Sequence, residues 1–269
     1  MSSANARKSI FITGAASGMG RATALLFAKH GWFVGGFDVD VAGLNTLRSE
    51  IGEANGVFER LDVTDLAAFT AAMAQFGSAT DGKLDLMFSN AGIGNGGLFD
   101  EQPWDEVMRI VNINFIGVMI GIRAAVSLLR ATPGSLCLVN SSSSAIFGTA
   151  GIAVYSATKH AVRGLTEALS IELKRYGVRA SDLLPGLIDT PLLGDTMRAM
   201  APKEGMWRLT PAREVAEAVW AAYHGDVLHS YVPAELKDFH KRVVEAPEAV
   251  REERTALLAA MAPAIEAAA

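Results

Sequence analysis

Tyr155 and Lys159 stand four residues apart in the stretch "AVYSATKHAVRGLTEALS", residues 153–170. Small or apolar residues recur around them at Ala157, Ala161, Val162, Leu165, Ala168 and Leu169, the spacing of an amphipathic helix. On a helix the two polar groups share a face, with roughly 6 Å of rise between them. One reading is that both carry their tips to solvent along an apolar body. The other is that they form a proton-transfer unit. A free phenol ionises near pH 10 and is a poor base at neutrality, and a nearby ammonium favours its ionised form. Lowering that pKa by about three units requires roughly 4 kcal/mol, which calls for a partly dry site.

The elements that would position such a pair alternate along the chain. "KSIFIT", "WFVGGF", "GVFERLDV", "LDLMFSN", "SLCLVNS" and "VRASDLL" read as strands. Between them lie helical patterns from about Gly18 to His30, from Val41, from Asp65, from Pro103 to Leu129, and across 153–170. This alternation implies an α/β, doubly wound parallel sheet of the Rossmann type, three layers deep in a single domain. "LHSYVPAE" supplies a last strand. Two segments extend the domain. One is a Met- and Leu-rich insertion over about 191–212, and the other an Ala/Glu-rich helical extension over about 238–269.

Directly after the first strand comes "TGAASGMG", with glycines at 14, 18 and 20, running into a helix. Such a turn lets backbone N–H groups approach a pyrophosphate at the helix N-terminus, so Gly14, Ser17, Gly18, Met19 and Gly20 form a candidate dinucleotide cradle. The second strand ends in Asp38, where a carboxylate can accept from a ribose diol. Val39 and Asp40 follow it, and Ser17 holds the turn position where a basic residue could meet a 2′-phosphate. NAD is therefore expected rather than NADP.

The totals narrow the classes. The chain has 269 residues, 50% hydrophobic, with a net charge of −5 and no basic block, which argues against nucleic acid as a partner. Cys137 is the only cysteine, in the apolar run "SLCLV", so no internal disulfide can form. The N-terminal residues lack the pattern of a signal peptide, and the run Ile110–Ile122, 13 residues, is short for a membrane span. A cytoplasmic protein without a membrane or metal partner is expected.

With these residues in view, the chain resembles the short-chain dehydrogenase/reductase family from about Lys8 to Pro191. "TGAASGMG" matches its cofactor turn, "LDVTD" its adenine segment, "SNAG" its NNAG pattern with Ser89 for the first Asn, and "NFIGV" its asparagine segment. "SSSSA", "YSATK" and "PGLIDT" follow in the family's order. The resemblance implies hydride transfer between a secondary alcohol or ketone and nicotinamide, with Tyr155 as acid/base and Lys159 lowering its pKa. Ser142 would hold the substrate oxygen, with Ser143 the alternative. Asn114, with Asn112 the alternative, would bind a water that links Lys159 to solvent. Asp62, Val63, Asn90, Ala91, Gly92, Pro185, Gly186, Ile188 and Thr190 complete the implied cofactor site. Leu192, Leu193, Met197, Met200, Met206 and Trp207 are a candidate lid suited to a bulky hydrophobic, cyclic or aromatic substrate. A 3-oxoacyl thioester reductase is the rival enzyme, and a non-catalytic dinucleotide-binding module the rival of another class. The helices near 103–131 and 155–176 would join subunits into a homodimer or homotetramer.

Overall fold

The computed structural model describes residues 7–94 and 96–266. Parts of the signal-peptide reading and of the C-terminal extension fall on residues 1–6 and 267–269, outside the described residues. Seven strands form one sheet: β1 (Ser9–Thr13), β2 (Phe33–Asp38), β3 (Gly56–Arg60), β4 (Leu86–Ser89), β5 (Leu136–Asn140), β6 (Arg179–Pro185) and β9 (His229–Val232). Their order is β3-β2-β1-β4-β5-β6-β9, and every neighbouring pair is parallel. The order reverses between β1 and β4, and a crevice at such a switch point is where open α/β sheets bind ligands.

Alternation along the buried strands divides the core. Ile10 and Ile12 of β1, with Leu136 and Leu138 of β5, face one layer with Phe27, Leu44 and Val219. Phe11 of β1, with Cys137 and Val139 of β5, faces the other, with Phe69, Phe76, Ile122 and Val162. The first layer is built by α1 (Gly18–Lys29), α2 (Val41–Ile51) and α8 (Ala212–His224). The second is built by α3 (Leu66–Ala79), α4 (Trp104–Val111), α5 (Gly117–Arg130) and α6 (Ala153–Glu172). Burial pushes the Cys137 thiol up to about 12, which makes it an inert core group.

The helix expected from Pro103 to Leu129 is present, and the 13-residue run Ile110–Ile122 is only part of it. α4 and α5 continue through a wider turn into 27 residues, Trp104–Arg130, which by length and composition alone are enough to cross a membrane. Here it packs against α3 and α6, with Gly117, Val118, Gly121, Ile122 and Ala125 buried. The apolar stretch is thus long because one helix serves both the sheet and its neighbours. In the wider turn, Asn112–Ile116, the Gly117 N–H reaches back five residues to the Asn112 carbonyl.

The insertion contains two short strands, β7 (Ile188–Asp189) and β8 (Thr210–Pro211), paired in parallel, and α7 (Asp195–Met200) between them. The chain ends in α9 (Leu236–Glu245) and α10 (Pro247–Glu266).

Candidate active site

Close approach explains the glycine turn between β1 and α1. Gly14 has φ +69°, and a Cβ there would lie 2.9 Å from the Ala91 Cα. A Cβ on Gly20 would lie 2.0 Å from the Gly14 carbonyl oxygen, so the turn closes on itself only without a side chain. Ser17, exposed and extended at φ −147°, precedes the first turn of α1. Gly18 lies against the Thr190 side chain, and Met19 brings its sulfur to 4.0 Å from the Asn140 Nδ2. At the end of β2, Asp38 accepts from the Ala16 and Asp40 backbone N–H groups, both at 3.0 Å. These bonds fix a half-exposed carboxylate beside the turn. Asp62 accepts from the Thr64 N–H and hydroxyl, which hold its carboxyl below the usual range, and Val63 is buried next to it.

Across the switch point, Asn90 knits the strand ends together. Its Nδ2 donates to the Thr13 and Gly14 carbonyls, and the Thr13 hydroxyl accepts from the Asn90 and Ala91 N–H groups. The Asn90 Oδ1 accepts from Asn140 Nδ2 at 3.2 Å, and the Asn140 carbonyl accepts from Lys159 Nζ at 2.7 Å. The sequence pattern does not single out Asn140. Its only signal is a polar residue closing a fully buried strand. The Asn140 Oδ1 is itself buried and unbonded among the described residues.

The structure brings Tyr155, Lys159, Ser142 and Asn114 together. Ser142, buried, hydrogen-bonds the Tyr155 phenol, and its hydroxyl also accepts from the Ser144 N–H. Ser143 is half-exposed in the following turn, and Asn112 points to solvent while Asn114 is fully buried. Lys159 Nζ lies 5.5 Å from the Tyr155 ring centroid. A Cβ on Gly92 would touch both Asn114 Oδ1 at 3.2 Å and Lys159 Nζ at 3.6 Å, so the two flank this residue.

Two details differ from the expectation. The Asn114 amide is occupied: it donates to the Ile93 carbonyl and accepts from the Ile93 N–H, both at 2.8 Å, and also reaches Thr158 Oγ1 at 3.4 Å. It therefore braces the Gly92–Gly94 loop, and Thr158 belongs to the brace. The second difference is electrostatic. Burial raises the Tyr155 pKa, which the Ser142 hydrogen bond opposes, while burial lowers Lys159 to about 8. The ammonium is turned to the Asn140 carbonyl, so protein groups alone leave the phenol protonated.

Below the pair, Pro185 ends β6 and Gly186 donates to the Val232 carbonyl at 2.7 Å. Ile188 and Thr190 are buried. Arg198 of α7 ties the insertion down, bonding the Asp189 carboxylate and the Thr190 carbonyl. The candidate lid residues separate. Leu192 lies beside Gly94, where a Cβ would stand 3.8 Å from Leu192 Cδ1 and 3.9 Å from Tyr155 Cδ2. Met197 and Met200 are exposed, while Met206 and Trp207 pack with Phe239 and Val250 of the C-terminal helices.

A family model for short chain dehydrogenases matches residues 8–201. The chain belongs to this family. It is an oxidoreductase of the kind that acts on CH–OH groups. Momilactone A synthase of Oryza sativa subsp. japonica is 36% identical over 71% of this chain and 71% of its own. Trans-4-hydroxycyclohexanecarboxylate dehydrogenase of Sinomonas cyclohexanicum is 34% identical, over 72% and 77%. The 2,5-dichloro-2,5-cyclohexadiene-1,4-diol dehydrogenase of Sphingobium indicum is 37% identical, over 70% and 75%. Among solved structures, a Brucella melitensis 3-ketoacyl-(acyl-carrier-protein) reductase with NADH superposes with TM-score 0.76 at 32% identity, covering 84% of this chain and 96% of that one. A Thermococcus sibiricus alcohol dehydrogenase with 5-hydroxy-NADP gives 0.73 at 26% identity, covering 84% and 94%. Relatives of this dehydrogenase thus carry either dinucleotide.

The dinucleotide suits the residues present. The glycine turn leaves no side chain between backbone and a pyrophosphate, and Asp38 presents a fixed acceptor to a ribose. Gly14, Ser17, Gly18, Met19 and Gly20 would hold the pyrophosphate end, and Asp62 and Val63 the adenine end. Ala91, Gly92, Ile188 and Thr190 would border the nicotinamide.

Proposed function

We propose that the protein is an NAD-dependent dehydrogenase that interconverts a secondary alcohol and a ketone on a bulky hydrophobic, cyclic or aromatic substrate. One observation carries this reading: the Tyr155 phenol meets Ser142 and the buried Lys159 ammonium, and Lys159 is tied through Asn140 and Asn90 to the Thr13 and Gly14 carbonyls of the glycine turn. When bound, nicotinamide accepts or returns the hydride. Ser142 holds the substrate oxygen, and Tyr155 takes its proton in oxidation and gives it back in reduction. Lys159 keeps positive charge next to the phenol. Asn114 acts as a positioning residue, bracing Ile93 and the loop beside Lys159.

Preference for NAD over NADP rests on the Asp38 carboxylate, which would repel a 2′-phosphate. The ring-shaped substrate draws support from Gly94, which puts no side chain into the space beside Tyr155 and Leu192, and from relatives named for cyclohexane and cyclohexadiene alcohols. The insertion from Leu192 serves as lid in this reading. A homodimer or homotetramer through α4–α5 and α6 is part of it, supported by the exposure of Trp104, Met108 and Ile171 on those helices. So is a cytoplasmic setting, supported by the single reduced-type cysteine.

The likeness to a ketoacyl reductase favours a second reading, a 3-oxoacyl thioester reductase. One panel separates the two: cyclohexanols and cyclohexanones, aromatic alcohols and a 3-oxoacyl thioester, each with NAD(H) and NADP(H). Turnover of a ring alcohol with NAD, at least about ten-fold faster than with NADP, is expected. Turnover confined to the thioester with NADPH would replace the first reading with the second. Dinucleotide binding with no turnover of any compound would favour the non-catalytic module.

A further inference from the structure

Arg163 lies one turn past Lys159 on α6 and joins three elements. Its Nη1 donates to the Ala145 carbonyl at 3.0 Å, its Nε to Glu167 Oε1 at 3.0 Å, and its Nη2 stands 3.2 Å from His240 Nε2 on α9. Ala145 closes the short turn that Ser142 opens, its N–H returning to the Ser142 carbonyl at 2.9 Å. The carbonyl held by Arg163 is thus three residues from the hydroxyl that meets Tyr155.

A guanidinium has donors only, so the His240 nitrogen facing it has to be the bare acceptor. The ring proton then sits on Nδ1, where the Tyr231 hydroxyl accepts at 2.6 Å. This arrangement needs a neutral imidazole. A second proton would aim an N–H at the Arg163 guanidinium and remove its acceptor. The groups facing His240 are Arg163 and Glu167 from α6, and His229 and Tyr231 from β9. His229 in turn bridges Asp182 of β6 at 2.8 Å and Glu167 at 3.5 Å. Burial, Arg163 and His229 hold the His240 pKa below its ordinary value, against the pull of Glu167. Apolar packing follows the same route: Ala145 and Ile146 share a cluster with Leu236, Phe239, Trp207 and Val250.

We propose that His240 is a positioning residue for the serine turn: as neutral acceptor for Arg163 it fixes the Ala145 carbonyl and so Ser142 beside Tyr155, and its protonation releases that turn. The catalytic consequence rests on the role given to Ser142 above, whereas the structural link does not. In this account the C-terminal helices are a working wall of the site, and they impart an acid-side loss of rate that does not come from the phenol.

The test separates the two levels. Hydrogen exchange of the peptide spanning 141–147 is measured in the full-length protein at about pH 7 and about pH 5, corrected for intrinsic rates, with the β5 peptide as folding control. His240→Gln keeps a carbonyl acceptor for Arg163 and does not ionise, and His240→Leu offers no acceptor. Wild type should exchange this turn about ten-fold faster at the lower pH, H240Q should stay protected at both, and H240L should be unprotected at both. Equal protection of the wild type at both pH values, or the same acid loss in H240Q, overturns the proposal. If H240L does not fold, the comparison of wild type with H240Q decides alone. With a turned-over alcohol in hand, kcat should fall toward acid pH in wild type more steeply than in H240Q, with the KM for NAD unchanged. Identical pH profiles would refute the catalytic consequence, and an absence of turnover in every protein would count against the proposed function while leaving the exchange result decisive.

Discussion

Replacing Lys159 by methionine sets function against stability, and both magnitudes follow from the geometry. The ammonium is buried, donates to the Asn140 carbonyl at 2.7 Å and lies 5.5 Å from the Tyr155 ring centroid. Taking the ring centroid as the centre of the delocalised phenolate charge and an effective dielectric of about 20, a unit charge at that distance favours the phenolate by about 3 kcal/mol, or about a hundred-fold in its population. Lys159→Met should therefore lower kcat for alcohol oxidation about a hundred-fold near pH 7. Burial lowers the lysine from 10.5 to about 8, so the folded state at neutral pH carries the charge at a cost of about 3 kcal/mol. Because the folded lysine gives up its proton more readily than the unfolded one, this deficit is recovered as pH rises from about 8 to 10.5. Methionine removes the deficit and forfeits one hydrogen bond worth about 1–3 kcal/mol, leaving stability unchanged or improved. The ratio of wild-type to variant rates should also shrink as pH rises through about 8, where the wild type loses its charge. Steady-state rates across pH, paired with thermal unfolding, check all of this. A K159M protein within ten-fold of wild-type activity, or one melting several degrees lower, would refute the reasoning.

Two further outcomes concern the cofactor cradle. Asp38→Ala removes the acceptor fixed by Ala16 and Asp40, and should weaken NADH about ten- to hundred-fold with a smaller effect on NADPH, as read by titration calorimetry; equal losses for both would count against the ribose assignment. Gly20→Ala places a methyl 2.0 Å from the Gly14 carbonyl, so the turn has to open, and NADH binding should be lost with a melting point several degrees lower. Normal NADH affinity in that variant would show that the turn is not the cradle.

The helix bearing Tyr155 and Lys159 was legible because its chemistry and its apolar spacing lie within one local stretch, observed as Ala153–Glu172. The sheet was legible for the same reason, since each buried strand is a short apolar run between turn signals. The structure adds the reason for Gly117: a Cβ there would come within 2.7 Å of Val63, which sets the approach of the helix holding Asn114. What stayed hidden depends on partners distant in sequence. Asn114 spends its amide on Ile93, and Asn140 joins Asn90 to Lys159, pairings that no local spacing encodes. The insertion was read as one apolar lid because its Met and Leu residues look alike in sequence. Tertiary packing divides them, with Leu192 near Tyr155 and Trp207 stacked edge-on to Phe239. The link from Arg163 to His240 spans 77 residues and emerges only once α9 folds back on α6.

The central claim is that one oxygen atom, the Tyr155 hydroxyl, moves the proton. Tyr155→Phe removes that atom and keeps the ring, so the ring's place beside Gly94 and the bond of Lys159 to Asn140 are retained. Measuring kcat and the NADH dissociation constant on the same preparation tests the claim most directly. The account predicts a fall in kcat of at least about a hundred-fold with NADH affinity within about three-fold of wild type; a Y155F enzyme that turns over within ten-fold of wild type would contradict it.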